Sequence, residues 1–107
     1  MNGPRFAHLD QQFALLIARL GVSADVQRAR AFLHIGKASI EGDPLTTQDL
    51  VRFLGMSEKC ALYAVAHFVE RGYVSKVRCE TDARAKHLVL TETGLALFRE
   101  LLQYDRA

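Results

Sequence analysis

The chain has 107 residues, half of them hydrophobic, and a formal net charge of +2. That length can bury one modest core and leaves no room for a second independent domain. No apolar run reaches the ~20 residues of a membrane helix, and the opening MNGPRFAHLDQQ lacks the apolar centre of a signal peptide, so a cytoplasmic protein is expected.

Phe6, Leu9, Phe13, Leu16, Ile17 and Leu20 recur at three- and four-residue steps, which predicts an amphipathic helix from about Pro4 to Leu20, ended by Gly21. Ser23 can cap a second helix whose inward face is Val26, Ala29, Phe32, Leu33 and Gly36. Gly36 permits a close helix crossing, and the EGDP sequence from Glu41 to Pro44 stops the helix. Thr46 lies three residues before Asp49, a capping box with Asp in place of the usual Glu or Gln, and a short helix follows through Leu50, Phe53 and Leu54. Gly55 supplies a turn, and Ser57 caps a longer helix that runs to Gly72 with Ala61, Ala64, Val65 and Phe68 inward. Short helix, glycine turn and longer helix form the helix-turn-helix pattern.

Tyr73 to Cys79 and Ala85 to Leu90 read as strands joined by the polar loop Glu80 to Arg84. Cations at alternate positions predict a ribbon with one basic face and one face packed inward. A last helix begins near Thr91 and presents Leu95, Phe98, Leu101 and Leu102 along one side. The expected fold is therefore α+β, mostly α: a winged helix-turn-helix with a two-stranded wing and flanking N- and C-terminal helices. It makes a single domain over 1–107, with the helix-turn-helix and wing in 45–90. A basic hairpin after a helix-turn-helix is an arrangement suited to DNA, with one helix in the major groove and the hairpin at the backbone or minor groove.

Neither thiol has CxxC spacing, so Cys60 and Cys79 are expected to be reduced and unpaired. His8, His34, His67 and His87 are scattered without ligand spacing, so neither a metal nor another cofactor is expected. A nucleophile elbow, a Gly-rich phosphate loop and a paired-carboxylate motif are all missing, and Glu41 and Asp43 read as turn residues, so catalysis is not expected.

The segment from Leu45 to Gly94 resembles the MarR family of bacterial transcription regulators. The resemblance rests on Glu70-Arg71-Gly72-Tyr73-Val74 at a helix end, Asp82-x-Arg84 in the wing, and Leu90-Thr91-Glu92-Thr93-Gly94 at the start of the last helix. It implies a homodimer on a palindromic operator, with the helix after Ser57 as the reader, Arg84 in the minor groove and Asp82 bracing it. The sequence departs from the family in three ways. The terminal helices are short, which leaves dimer geometry open and argues against a small-molecule effector. The outward positions Glu58, Lys59, Leu62, Tyr63, Ala66 and His67 stand where the family usually offers Ser, Thr and Arg, and Cys60 stands where it often has Thr.

The expected DNA-binding set is Ser57, Glu58, Lys59, Leu62, Tyr63, His67, Lys76, Arg78, Asp82, Arg84 and Lys86. Phosphate contacts make the larger share, and Leu62 and Tyr63 suit apolar contact with thymine methyls. The expected dimerisation set is Phe6, Leu9, Phe13, Leu16 and Ile17 with Leu95, Phe98, Leu101 and Leu102, within 1–22 and 91–107. Two other readings of the residues stand beside a repressor: a winged-helix protein-interaction module, motivated by the Leu62-Tyr63 face, and an architectural protein coating repeated DNA sites.

Overall fold

In the computed structural model, which describes residues 24–79 and 85–104, the elements run α1 (Ala24–Ile40), α2 (Thr47–Leu54), α3 (Glu58–Glu70), β1 (Val74–Arg78), β2 (Lys86–Leu90) and α4 (Glu92–Tyr104). The predicted helix at Pro4 to Leu20, its apolar residues Phe6, Leu9, Phe13, Leu16 and Ile17, the Ser23 cap, and Asp82 and Arg84 lie outside the described residues.

Short-range hydrogen bonds set most element boundaries. Thr46 and Asp49 form the reciprocal capping box: the Asp49 N–H donates to Thr46 Oγ1 at 3.2 Å and the Thr46 N–H to Asp49 Oδ2 at 2.9 Å. Gly55, at φ 70°, ends α2 in the left-handed region that a residue with a Cβ adopts only with strain. Ser57 then caps α3 by accepting the Cys60 N–H at 3.1 Å. At the far end of α3 the Tyr73 N–H donates to the Phe68 carbonyl and the Gly72 N–H to the Val69 carbonyl. With Gly72 at φ 79°, these two bonds make a Schellman motif, which is the structural content of the Arg71-Gly72-Tyr73 signature.

The two strands pair antiparallel, Val74 opposite Leu90 and Arg78 opposite Lys86. Leu45 adds a single bridge on the other edge of β2, where the Leu88 N–H donates to its carbonyl at 2.8 Å. Farther along β2, the Leu90 N–H donates to Ser39 Oγ of α1 at 3.1 Å, which fixes the sheet to that helix.

The core lies where α1, α3, α4 and the base of the sheet meet. Phe32 is its centre, with ring centroids 5.4 Å from Phe68, 6.0 Å from Tyr73 and 6.4 Å from Phe98. The predicted inward residues Ala61, Ala64, Val65 and Phe68 are all buried, as are Phe32, Leu33 and Gly36. Gly36 does mark a close crossing: a Cβ there would fall 2.6 Å from Cε1 of Phe98.

Two expectations need correction. Phe98, placed among the dimerisation residues, is completely buried within its own chain between α1 and the Phe32 cluster, which leaves it no surface for a partner. Leu95 is half-buried and Leu101 packs partly buried against the same core. The second correction concerns the wing. Residues opposite one another share a face, so Val74, Lys76, Arg78, Lys86, Leu88 and Leu90 lie on one side, and Ser75, Val77, His87 and Val89 on the other. The cations therefore do not form a face opposite the packed one. They continue the same face beyond buried Val74 and Leu88, outward from the core, while Val77 on the reverse face remains exposed.

Candidate nucleic-acid interface

Burial of Ala61, Ala64, Val65 and Phe68 fixes the rotation of α3, because these positions return to one side at 3.6 residues per turn. Glu58, Lys59, Leu62, Tyr63 and Ala66 are consequently exposed, while His67 is half-buried with its ring edge-on to Phe68 at 6.0 Å. Leu62 and Tyr63 leave 55% and 64% of their surface open, values far from those of core residues. Lys59 Nζ stands 5.8 Å from the Tyr63 ring centroid, in cation–π range, so the cation and the aromatic ring form one surface feature. The first turn of α3 carries the positive end of the helix dipole and backbone N–H groups, with Ser57 as cap, an arrangement that favours an anion such as phosphate.

In the wing, Lys76, Arg78 and Lys86 are exposed beyond the buried base of the sheet. Arg78 and Lys86 are directly paired across the strands. Like charges opposite one another are unfavourable in a free hairpin, and an anion lying against the pair relieves the repulsion. Asp82 and Arg84 fall in the loop outside the described residues.

The fold also brings together residues that the sequence reading did not connect. Gln27 and Arg28 of α1 meet Met56, Cys60 and Tyr63 around a cavity of about 60 Å³ at the start of α3. No spacing rule links positions 27 and 63; only the packing of α1 against α3 does so. Phe53 is the other surprise, two-thirds exposed with the Arg52 guanidinium 5.9 Å from its ring centroid. At the C-terminal end of α1, His34, Lys37, Ala38, Glu41, Asp43 and Leu45 line a separate cleft of about 230 Å³, crossed by a Lys37–Glu41 ion pair of 3.0 Å. Cys60 is exposed and Cys79 buried, both as free thiols. No helix among the described residues is long and apolar enough to cross a membrane.

A capped helix, a preceding short helix joined by a glycine turn, and a basic two-stranded wing together define a winged helix DNA-binding domain. A family model of that description matches residues 34–94, and the chain belongs to this family. Its fold is that of the MarR-type regulators. It superposes on Streptococcus pneumoniae FabT, solved in complex with DNA, with a TM-score of 0.66 and 22% identity, covering 94% of this chain and 67% of that one. Escherichia coli MarR, as a mutant with operator DNA, gives 0.63 and 20% over 91% of this chain and 65% of that one. AbsC, a MarR family regulator from Streptomyces coelicolor, gives 0.62 and 20% over 96% and 67%. The chain thus spans about two thirds of the length of these structural relatives. No curated protein matches it by sequence.

Proposed function

We propose that the chain acts as a homodimer that binds a palindromic operator in double-stranded DNA and represses transcription by occluding a promoter. The observation that carries this reading is the outward face of α3, held by a buried opposite face and a Ser57 cap, together with the exposed wing cations Lys76, Arg78 and Lys86. In this reading Ser57 and Lys59 engage phosphates near the helix N-terminus, and Glu58, Leu62, Tyr63 and His67 face base edges. Lys76, Arg78 and Lys86 follow the flanking backbone. Arg84 enters the minor groove with Asp82 holding it, as the MarR resemblance implies. Two-fold symmetry of the dimer requires half-sites about one helical turn apart. The segment predicted as a helix at Pro4 to Leu20, together with Leu95, Leu101 and Leu102 of α4, supplies the proposed dimer contacts. That the structural relatives include complexes with DNA supports the choice of partner.

Selection from a random duplex pool at near-physiological salt tests the reading, with wild type and Arg84→Ala side by side. Enrichment of a palindrome by wild type and its loss in the variant is the expected result. Failure of wild type to enrich any sequence refutes it. The exposed Phe53, Leu62 and Tyr63 favour one competing reading, a protein-interaction module. Under that reading Tyr63→Ala abolishes partner capture, and Arg84→Ala changes nothing.

A further inference from the structure

The reader helix is chemically unusual for its task. Its sequence, EKCALYAVAHFVE, contains no Arg, Asn, Gln, Ser or Thr, the side chains that make most direct hydrogen bonds to purine edges. The lysine it does carry, Lys59 in the first turn, stands beside the Tyr63 ring. Beyond Glu58 and Lys59 in the first turn, the middle of the exposed face offers apolar carbon: Leu62 and the ring of Tyr63, each more than half open to solvent, with Ala66 one turn farther along. A helix that must leave such groups in water gains by placing them against an apolar feature of its partner. In the major groove the only apolar feature on a base-pair edge is the C5-methyl group of thymine.

We infer that Leu62 and Tyr63 read thymine methyl groups, so that the centre of each operator half-site is specified by A·T pairs through apolar contact. This rests on the DNA-binding reading proposed above. Charge supports the same occupant. Lys59 stands beside the Tyr63 ring near the α3 N-terminus, and the same domain exposes Lys76, Arg78 and Lys86 on its wing, all groups suited to phosphates. A protein partner would have to complement those basic groups with acidic side chains. The division of labour is then explicit: cations supply affinity independent of sequence, and Leu62 and Tyr63 supply the discrimination.

The experiment uses the full chain and the duplexes it enriches from a random pool. Each enriched duplex is resynthesised with deoxyuridine replacing thymine, which deletes only the C5-methyl group and keeps every hydrogen-bonding edge. Wild-type affinity is expected to fall about fourfold for each contacted methyl. Leu62→Ala and Tyr63→Ala are each expected to lose part of the thymine preference, and the double variant to bind thymine and deoxyuridine duplexes nearly equally, with the salt dependence unchanged. Because both residues are exposed, the variants keep the fold, and their thermal midpoints verify that. Sequence-selective binding by wild type with no thymine preference overturns the methyl inference and leaves the regulator reading standing. An unaltered thymine preference in both Leu62→Ala and Tyr63→Ala also overturns it. Absence of any enriched duplex overturns both readings together.

Discussion

Replacing Gly94 with alanine sets two opposite effects against each other. Gly94 lies in the first turn of α4, where its N–H donates to Thr91 Oγ1 at 3.0 Å. It is not among the glycines with positive φ, so alanine meets no backbone strain there. Helix propensity alone predicts a gain approaching 1 kcal/mol. Space decides otherwise: a Cβ would fall 2.8 Å from the carbonyl carbon of Tyr73 and closer still to its oxygen. Both are backbone atoms and cannot turn aside as a side chain would. That same carbonyl accepts the Thr91 N–H at 3.0 Å, while the Thr91 hydroxyl donates to the Gly72 carbonyl. Moving α4 away therefore strains the bonds that join it to the end of α3. Overpacking costs about 1–3 kcal/mol and a lost hydrogen bond about 1 kcal/mol more, so the net destabilisation after the propensity gain is about 2 kcal/mol. For a domain of this size that lowers the thermal midpoint by roughly 8–16 °C. Circular dichroism melting of Gly94→Ala beside wild type measures it. An unchanged or raised midpoint refutes the close-approach explanation of the Thr91-Glu92-Thr93-Gly94 signature.

Gly36→Ala meets the Phe98 ring rather than backbone, so the neighbour has some freedom to yield; the expected loss is about 1 kcal/mol in denaturant titration, smaller than at Gly94. Phe98→Ala is expected to cost about 3–5 kcal/mol, whereas Phe53→Ala, at an exposed site, changes stability by no more than about 0.5 kcal/mol in the same assay. Ser57→Ala removes the α3 cap and costs about 1 kcal/mol. Ser57→Asp retains the cap and the melting midpoint but places a negative charge where phosphate is proposed, so DNA affinity measured by fluorescence anisotropy falls although stability does not. If the wing and reader cations neutralise about three phosphates per subunit, the log–log salt dependence of dimer binding has a slope of about −5, and a flat response excludes phosphate contacts as the source of affinity.

Local chemistry was legible in the sequence by itself. The Thr46–Asp49 box, the Ser57 cap and the Gly72 helix end depend on hydrogen bonds between residues no more than five positions apart, and the Gly55 turn on that glycine's own positive φ, so the residues that make each stand within one short window. The rotation of α3 was legible for the same reason, since an apolar stripe at helical spacing defines its own inward side and thereby exposes Leu62 and Tyr63. Tertiary structure decided what periodicity leaves degenerate. An apolar stripe on α4 suits packing within a chain or between chains, and the Gly36 notch opposite it is what takes Phe98 into this chain's own core. Alternation along β1 and β2 separates two faces without saying which is covered; the pairing of Val74 with Leu90 and the Leu45 bridge to Leu88 turn the cation-bearing face toward the core at its base. Phe53, read as part of an apolar helix, is left exposed. Arg28 and Tyr63, thirty-five positions apart in the chain numbering, come to line one cavity because α1 packs across the start of α3. Such contacts depend on how the faces of distant elements fit together, and no short window of sequence contains both partners.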